Sequence, residues 1–411
     1  MMEQKQVPEL RFAEFKDEWI KASLQDLCDK TISYGIVQTG ENIEKGIPCV
    51  RVVDLTNSKL DIYSMIKTSE EVSNSYKKTI LEENEIMLAL RGDIGMVKLV
   101  GKELVGANLT RGVARISARE SIITPSFMNW VLQSEKSIKS INEKVNGSAL
   151  KEIPLSGLRR VKVVLSKALK EQKKIASFLS SVDKKIEQLN KKKSLLEQYK
   201  KGVMQQLFSQ KLRFKDDDGS DYPEWRKGKM KDFGRFYYGK SAPKWSISDD
   251  AETPCVRYGE LYSTYNGQIN EIKSYTNIKR SELKFSKGGE ILIPRVGEDP
   301  LDFAHCSVLN LSNVAIGEMI SVYNTKEESL FTVYCINSTL KKEFAKVVEG
   351  GNVSNLYFKY LEEIFISFPC IEEQTKIANF LSAIDTKIAL LNTQIENTQQ
   401  FKKGLLQQMF V

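Results

Sequence analysis

A stretch of about forty residues occurs twice in this chain, and the repetition limits what the chain can fold into. Residues 171–209 read EQKKIASFLSSVDKKIEQLNKKKSLLEQYKKGVMQQLFS, and residues 373–411 read EQTKIANFLSAIDTKIALLNTQIENTQQFKKGLLQQMFV. Matching residues keep a constant offset of 202 without a gap, from Glu171 and Glu373 to Gln206 and Gln408. Fixed-period self-similarity sets architecture before any local reading does. Neither copy contains proline, and apolar residues recur every seven positions, which is the pattern of a long helix with a narrow seam. The first seam runs through Ile175, Val182, Leu189, Leu196 and Val203, with Leu179 and Ile186 on the row four residues on; Lys193 and Lys200 interrupt that row. The second runs through Ile377, Ile384 and Leu391, beside Leu381, Ile388 and Ile395. At about 1.5 Å per residue each helix spans roughly 55–60 Å. Such helices either lie on their own domains or pack on each other. Their length favours an antiparallel pair acting as a rigid coiled-coil spacer.

The repeat extends beyond the helices. PELRFAEFKDEW near the N-terminus returns as KLRFKDDDGSDYPEW after the first helix, and PCVRVVDL returns as PCVRYGEL at an offset of 206. Glu85-Ile86 with Arg91-Gly92-Asp93 is matched to Glu290-Ile291 with Arg295, Gly297 and Glu298, and Asn108 and Gly112 to Asn313 and Gly317. The chain therefore reads as two α+β globular domains, each followed by a long helix: residues 1–168, helix 169–210, residues 211–370, helix 371–411. Within the first domain, residues 47–53, 86–90 and 113–117 have strand character, residues 126–143 helical spacing, and residues 161–165 a final apolar run. The second domain repeats this at residues 253–256, 290–296, 319–323 and 330–348.

Charge is informative in its distribution. The chain carries 61 basic and 53 acidic residues; the first helix holds nine Lys against four acids and the second four against three, so 48 basic and 46 acidic residues remain. That is a faint basic footprint for a protein gripping phosphates alone, so a DNA-binding reading calls for a partner that supplies part of the grip. No apolar run reaches the roughly 20 residues of a membrane span, the N-terminus lacks the apolar centre of a signal peptide, and the six cysteines show no CxxC spacing. The expectation is a cytoplasmic protein with reduced, buried thiols and no membrane partner.

Catalytic motifs fail on inspection. Gly234 to Ser241 matches the phosphate-loop pattern GxxxxGKS, but such a loop needs a buried strand before it and a helix after its Lys. Here the preceding residues are charged, Pro243 follows closely, and three aromatic residues fill the loop. The only histidine, His305, cannot build a multi-histidine metal site, and the acids are too dispersed for a metal-dependent nuclease. What remains is a set of polar loops at matched positions: Tyr34, Arg51, Arg91, Asp93, Arg111, Asn146 and Ser148 in the first domain, and Tyr238, Lys240, Arg257, Arg295, Asn352 and Ser354 in the second. Arginine pairs bidentately with guanine and asparagine with adenine, while lysine and backbone amides meet phosphate. Arg51 and Arg257 lie in strand-like runs, where an ion-paired structural role is the competing reading.

The LRF…EW openings (Leu10-Arg11-Phe12…Trp19 and Leu212-Arg213-Phe214…Trp225), the EQ-x-KIA-x-FL helix starts and the KKG…QQ-x-F helix ends, in doubled order, resemble the specificity subunit of type I restriction-modification systems along essentially the whole chain. The resemblance implies a non-catalytic reader of double-stranded DNA, with two target-recognition domains that each read half of a bipartite, gapped site. It further implies that the helices set the spacing and dock two modification (methyltransferase) subunits, and that two restriction subunits join the full assembly. No cofactor is expected on this chain; S-adenosylmethionine, ATP and Mg2+ belong to the partners.

Overall fold

The heptad stretches form two uninterrupted helices, Leu169–Phe208 and Ile371–Gln408. The computed structural model describes residues 7–56, 60–147 and 151–411. The chain divides into two units: Met1–Lys191 with Asn392–Val411, and Lys192–Leu391. Each unit thus holds one globular domain, the start of the helix that follows it and the end of the other helix. Among the described residues no helix is long and apolar enough to cross a membrane.

In the first unit, strand Ile20–Ser23 pairs antiparallel with Lys162–Leu165, joining the two ends of the domain where the central helix begins. Between them lie a four-stranded sheet, ordered Ser33–Tyr34, Val113–Ile116, Ile86–Ala89 and Val97–Leu99, and a three-stranded sheet, ordered Ile66–Thr68, Ile47–Val50 and Asn108–Leu109. Strand Ile86–Ala89 is buried on both faces, as its unbroken apolar run requires. Its alternate residues serve two cores: Ile86 and Leu88 pack with Phe127 and Val131, and Met87 and Ala89 with Val50 and Leu109. The expected helix at 126–143 is two helices, Pro125–Leu132 and Glu135–Asn142, because Ser134 is extended and caps the second through Ser137 N–H. The strand expected at 47–53 ends at Val50, and a short helix, Val52–Thr56, follows.

The second unit repeats the plan. Arg226–Lys229 pairs with Phe365–Phe368. A five-stranded sheet is ordered Gly234–Tyr238, Ile320–Thr325, Glu290–Pro294, Ser307–Leu309 and Gln268–Ile269, and a three-stranded sheet Ser274–Thr276, Thr253–Val256 and Ala315–Ile316. The expected helix at 330–348 is again split, into Ser329–Thr339 and Lys341–Lys346. Residues 349–355, which follow, form a small hairpin, Glu349–Gly350 with Ser354–Asn355.

Both domains are fastened to their helices by the same buried pair. Glu171 and Gln172 are fully buried, as are Glu373 and Gln374. The Arg11 guanidinium donates to both Glu171 oxygens at 2.6 and 2.9 Å, and Arg213 to both Glu373 oxygens at 3.2 and 2.7 Å. Gln172 accepts from Thr124 N–H and donates to the Ile122 and Ser166 carbonyls; Gln374 accepts from Glu328 N–H and donates to Glu327 and the Pro369 carbonyl. The repeated LRF and EQ motifs are thus two halves of one contact.

Within each unit the helix segments run antiparallel. In the first, Ile175, Leu179 and Val182 share a core with Leu405, Met409 and Phe410, and Lys402 pairs with Asp183 at 2.6 Å while lying over the Trp130 ring. In the second, Ile377, Leu381 and Ile384 share a core with Leu207, Leu196 and Val203, and Lys200 pairs with Asp385 at 2.5 Å over the Tyr334 ring. Lys200, which interrupts the apolar row, is therefore a helix-to-helix ion pair. Leu189, Leu391 and Ile395 are buried; Ile186, Leu196, Val203 and Ile388 are half-buried. The outer seam residues also serve the domain cores, so packing on the domain and packing on the partner helix are one arrangement.

Truncating a buried member of an ion pair strands its partner, at a cost of about 3–5 kcal/mol. Glu171→Ala and Glu373→Ala are expected to destabilise the protein on that scale in urea titrations. Glu14→Ala, which removes only an exposed pair with Lys174, is expected to leave the midpoint unchanged.

Candidate nucleic-acid interface

Four turns of the first unit converge on one concavity: the chain after strand Ser33–Tyr34, the turn after Ile47–Val50, the turn after Ile86–Ala89, and Thr110–Gly112 between two strands. Backbone hydrogen bonds lock them together: Ile36 N–H to Leu109 O, Arg111 N–H to Ile36 O, Thr110 N–H to Val50 O, and Leu90 N–H to Gly112 O. Gly35 is obligatory here, since a Cβ would lie 2.0 Å from Leu109 O. The concavity, about 520 Å3, gathers Arg51, Arg91 and Arg111 with Ile36, Val37, Val52 and Val53. Val37 and Val53 are exposed, 46% and 56%, which leaves an apolar rim beside the guanidinium groups. That combination can donate in-plane hydrogen bonds and cover a thymine methyl.

The three arginines differ. Arg51 sits between strand and helix, outside the strand expected to carry it. It donates from N–H, Nε and Nη2 to Asp54, at 2.8–3.1 Å, and Asp54 holds the guanidinium above its ordinary pKa. Arg51 is thus largely a structural clamp. Arg91 and Arg111 are exposed, with the Arg91 side chain passing over Gly112. Tyr34 is 42% exposed at the strand end. Asp93 is exposed in the turn after Arg91, outside the concavity lining. Asn146 is exposed and fixed by paired backbone bonds to Glu152, which bridges to Arg91. Ser148 lies outside the described residues.

The second unit has the same scaffold with different side chains. Gly239 fills the role of Gly35, because a Cβ there would lie 2.1 Å from Gly317 O. Ladder register gives the equivalences. Ala89 faces Val113 as Pro294 faces Ile320, and Val50 pairs with Leu109 as Val256 pairs with Ile316. Leu90 N–H bonds Gly112 O as Arg295 N–H bonds Met319 O, and Ile153 N–H bonds Leu90 O as Leu356 N–H bonds Arg295 O. Arg295 therefore occupies the place of Leu90, not of Arg91, whose counterpart is Val296. Asn108 and Gly112 correspond to Ala315 and Met319, not to Asn313 and Gly317, and Arg111 corresponds to Glu318. Lys240 N–H bonds Ile316 O as Ile36 N–H bonds Leu109 O, so an exposed lysine replaces an apolar residue.

Arg257 matches Arg51 as the residue before a short helix, with Glu260 accepting from its N–H at 2.7 Å. Tyr238 is half-buried between the Phe358 ring, centroids 4.4 Å apart, and the Arg295 guanidinium at 4.7 Å. Asn352 is exposed at the tip of the small hairpin, whereas Ser354 is buried with its hydroxyl donating to Gly351 O. Tyr357 and Phe358 were not singled out by sequence. The spacing Arg-x-x-Asp at 51–54 and Arg-x-x-Glu at 257–260 was a readable sign that Arg51 and Arg257 lie beside local carboxylates.

The GxxxxGKS match is a strand. Gly234–Tyr238 pairs antiparallel along its length with 321–325. Gly234 is there because a Cβ would meet the Tyr323 ring at 2.5 Å, and Lys240 and Ser241 lie in an irregular segment that leads to a three-residue 3-10 helix, Lys244–Ser246, instead of opening an α-helix. Gly239→Ala is expected to destabilise the protein by about 1–3 kcal/mol or more through backbone overlap. Gly259→Ala, whose Cβ meets nothing within 4 Å in helix Tyr258–Ser263, is expected to be neutral or stabilising. Denaturant titration of the two variants checks both.

The family described as "Type I restriction modification DNA specificity domain" matches twice, at residues 16–198 and 222–399. A putative type I restriction enzyme MjaX specificity subunit from Methanocaldococcus jannaschii is 25% identical, covering 96% of this chain and 93% of its own length. The type I restriction enzyme EcoBI specificity subunit from Escherichia coli is 29% identical over 188 residues, which span 41% of this chain and 39% of that protein. In fold, the chain is similar to the S subunit of a type I restriction-modification system from M. genitalium, with a TM-score of 0.61 at 14% identity, covering 98% and 99% of the two chains. A structure described as concerning complex assembly and conformational transition of the type I system gives 0.53 at 15% identity. The chain belongs to the type I restriction-modification DNA specificity family: it is a DNA-recognition subunit, not an enzyme.

Proposed function

We propose that this chain reads a bipartite, gapped and asymmetric duplex DNA site, with one half-site read by each recognition domain (residues 1–168 and 211–370). Its helices (169–210 and 371–411) hold the two readers and dock two methyltransferase and two restriction subunits. The observation that carries this reading is the contrast in side chains between equivalent turns on two matched scaffolds. Arg91, Arg111 and Ile36 in the first give way to Val296, Glu318 and Lys240 in the second, and Leu90 gives way to Arg295. These changes sit on turns whose backbone hydrogen bonds correspond except at Glu318, whose N–H bonds Ser241 O where Arg111 N–H bonds Ile36 O; a changed donor set on a shared frame suits two different base sequences. Arg91, Arg111, Tyr34 and Asn146 are the proposed contacts of the first domain, and Lys240, Tyr238, Arg295 and Asn352 of the second. Arg51 and Arg257 support the turns. S-adenosylmethionine chemistry, and ATP with Mg2+, fall to the partner subunits, in the cytoplasm.

A net charge of +8 over 411 residues gives a weak phosphate grip. The isolated chain is therefore expected to bind duplex DNA far more weakly than its complex with a methyltransferase subunit. The deciding experiment is co-expression with a type I methyltransferase subunit and mapping of modified adenines across a genome. A bipartite motif with a fixed gap supports the proposal, and an assembled complex without a motif overturns it. Removing seven residues from each helix between the two ion pairs, 189–195 and 390–396, shortens the pair by about 10 Å. The recognised gap is then expected to contract by about three base pairs, at roughly 3.4 Å per step; an unchanged gap rules out the helices as its ruler.

A further inference from the structure

The second unit places an arginine where the first keeps a buried leucine. Leu90 is 1% exposed and packs in the domain core. At the equivalent backbone position, Arg295 is half-buried, and its main chain is pinned on both sides by Met319 O and Leu356 N–H. Its guanidinium lies over Tyr238 at 4.7 Å and Tyr357 at 5.6 Å. Those rings continue a column: Tyr238 rests on Phe358 at 4.4 Å, Phe358 on Phe236 at 6.0 Å, and Phe236 stacks on Tyr323 at 4.4 Å. Arg295 Nε is buried and has no hydrogen-bond partner among the described residues.

This arrangement is costly if it only holds the fold. A half-buried guanidinium whose buried Nε finds no acceptor loses hydration, and a leucine at this position satisfies the same backbone in the first unit. The tyrosine rings offset part of that cost and fix the plane of the group. A guanidinium of fixed plane at a turn of the recognition surface differs from a mobile phosphate-gripping lysine; planar, bidentate recognition is what arginine adds over a point charge. Local rules broken without structural return mark functional positions.

We propose that Arg295 is a specificity-determining residue of the second domain, reading the O6 and N7 edge of one guanine in its half-site from a guanidinium clamped by Tyr238 and Tyr357. The proposal rests on the DNA-reading function above and assigns the base class.

The test uses the chain assembled with a methyltransferase subunit. Arg295→Leu installs the side chain that the first unit uses at this position, which protects the fold; Arg295→Lys keeps the charge and loses the fork. Adenine-methylation mapping first defines the wild-type motif. Binding is then measured on duplexes carrying each second-half-site guanine in turn as guanine, adenine or 7-deazaguanine. Losing one bidentate base contact, about 1–3 kcal/mol, predicts that Arg295→Leu binds the wild-type site roughly 5- to 150-fold more weakly, with discrimination relaxed at a single guanine. 7-Deazaguanine at that position weakens the wild type and leaves the variant unaffected, and lysine fails to restore discrimination. An equal loss on all sequences, recovered by lysine, makes Arg295 a phosphate contact and overturns the proposal. So does an unchanged motif in Arg295→Leu, or a wild-type second half-site without guanine. Failure of the wild-type complex to give any bipartite motif instead sinks the underlying DNA-reading function.

Discussion

The structure depends on a carboxylate and an amide buried where each long helix begins. A fully buried glutamate is tolerated only when its charge is matched, and Arg11 and Arg213 match it bidentately from 160 residues upstream. The neighbouring glutamine satisfies a helix N-terminus and two further oxygens. Together they join the opening segment, the middle helix and the last strand of each domain to one turn of a long helix. Apolar packing supplies the gross stability of this junction. The polar pair sets its register, because sliding the helix by one residue would bury an unmatched charge.

The aromatic residues of the openings complete the junction. Trp19 packs edge-on against Phe127 and Phe410, and Trp225 against Phe331, which also meets Phe208. The phenylalanine at the end of the first helix, and the one just past the end of the second, thus each enter a cluster containing the tryptophan of an opening. In both units that opening belongs to the domain whose own long helix has just started. The chain uses its four repeated motifs, LRF, EW, EQ and QQ-x-F, to build two copies of a single assembly.

The scaffold was legible because its parts repeat without insertion. The offset of 202 holds through both helices, so heptads, ion-pairing lysines and terminal phenylalanines align by inspection. In the domains the offset drifts from 204 at Tyr34 and Tyr238 to 207 at Val113 and Ile320, as turns of different length intervene. Aligning by residue type across that drift paired Arg91 with Arg295 and Gly112 with Gly317, whereas hydrogen-bond register pairs Arg295 with Leu90 and Gly317 with Thr110. An arginine at the end of the run Ile291 to Pro294 gives no sign in one dimension that it takes a core leucine's backbone position. Gathering Arg51, Arg91 and Arg111 into one concavity likewise needs four distant turns to be brought together by backbone bonds that composition does not encode.

Those backbone bonds also explain how one scaffold carries two different readers. The turns that present Arg91, Arg111, Lys240 and Arg295 are held by main-chain N–H and carbonyl groups and by the close approach at Gly35 and Gly239. Every amino acid except proline supplies the same N–H and carbonyl, so side chains at these positions can change without releasing the turn. Ile36 against Lys240, Arg91 against Val296 and Arg111 against Glu318 are three such changes. The Arg11–Glu171 and Arg213–Glu373 contacts admit no such freedom, since there the side chains themselves are the fastening. Sequence-insensitive fastening at the reading surface and sequence-dependent fastening at the helices let the two surfaces diverge while the frame that holds them stays the same.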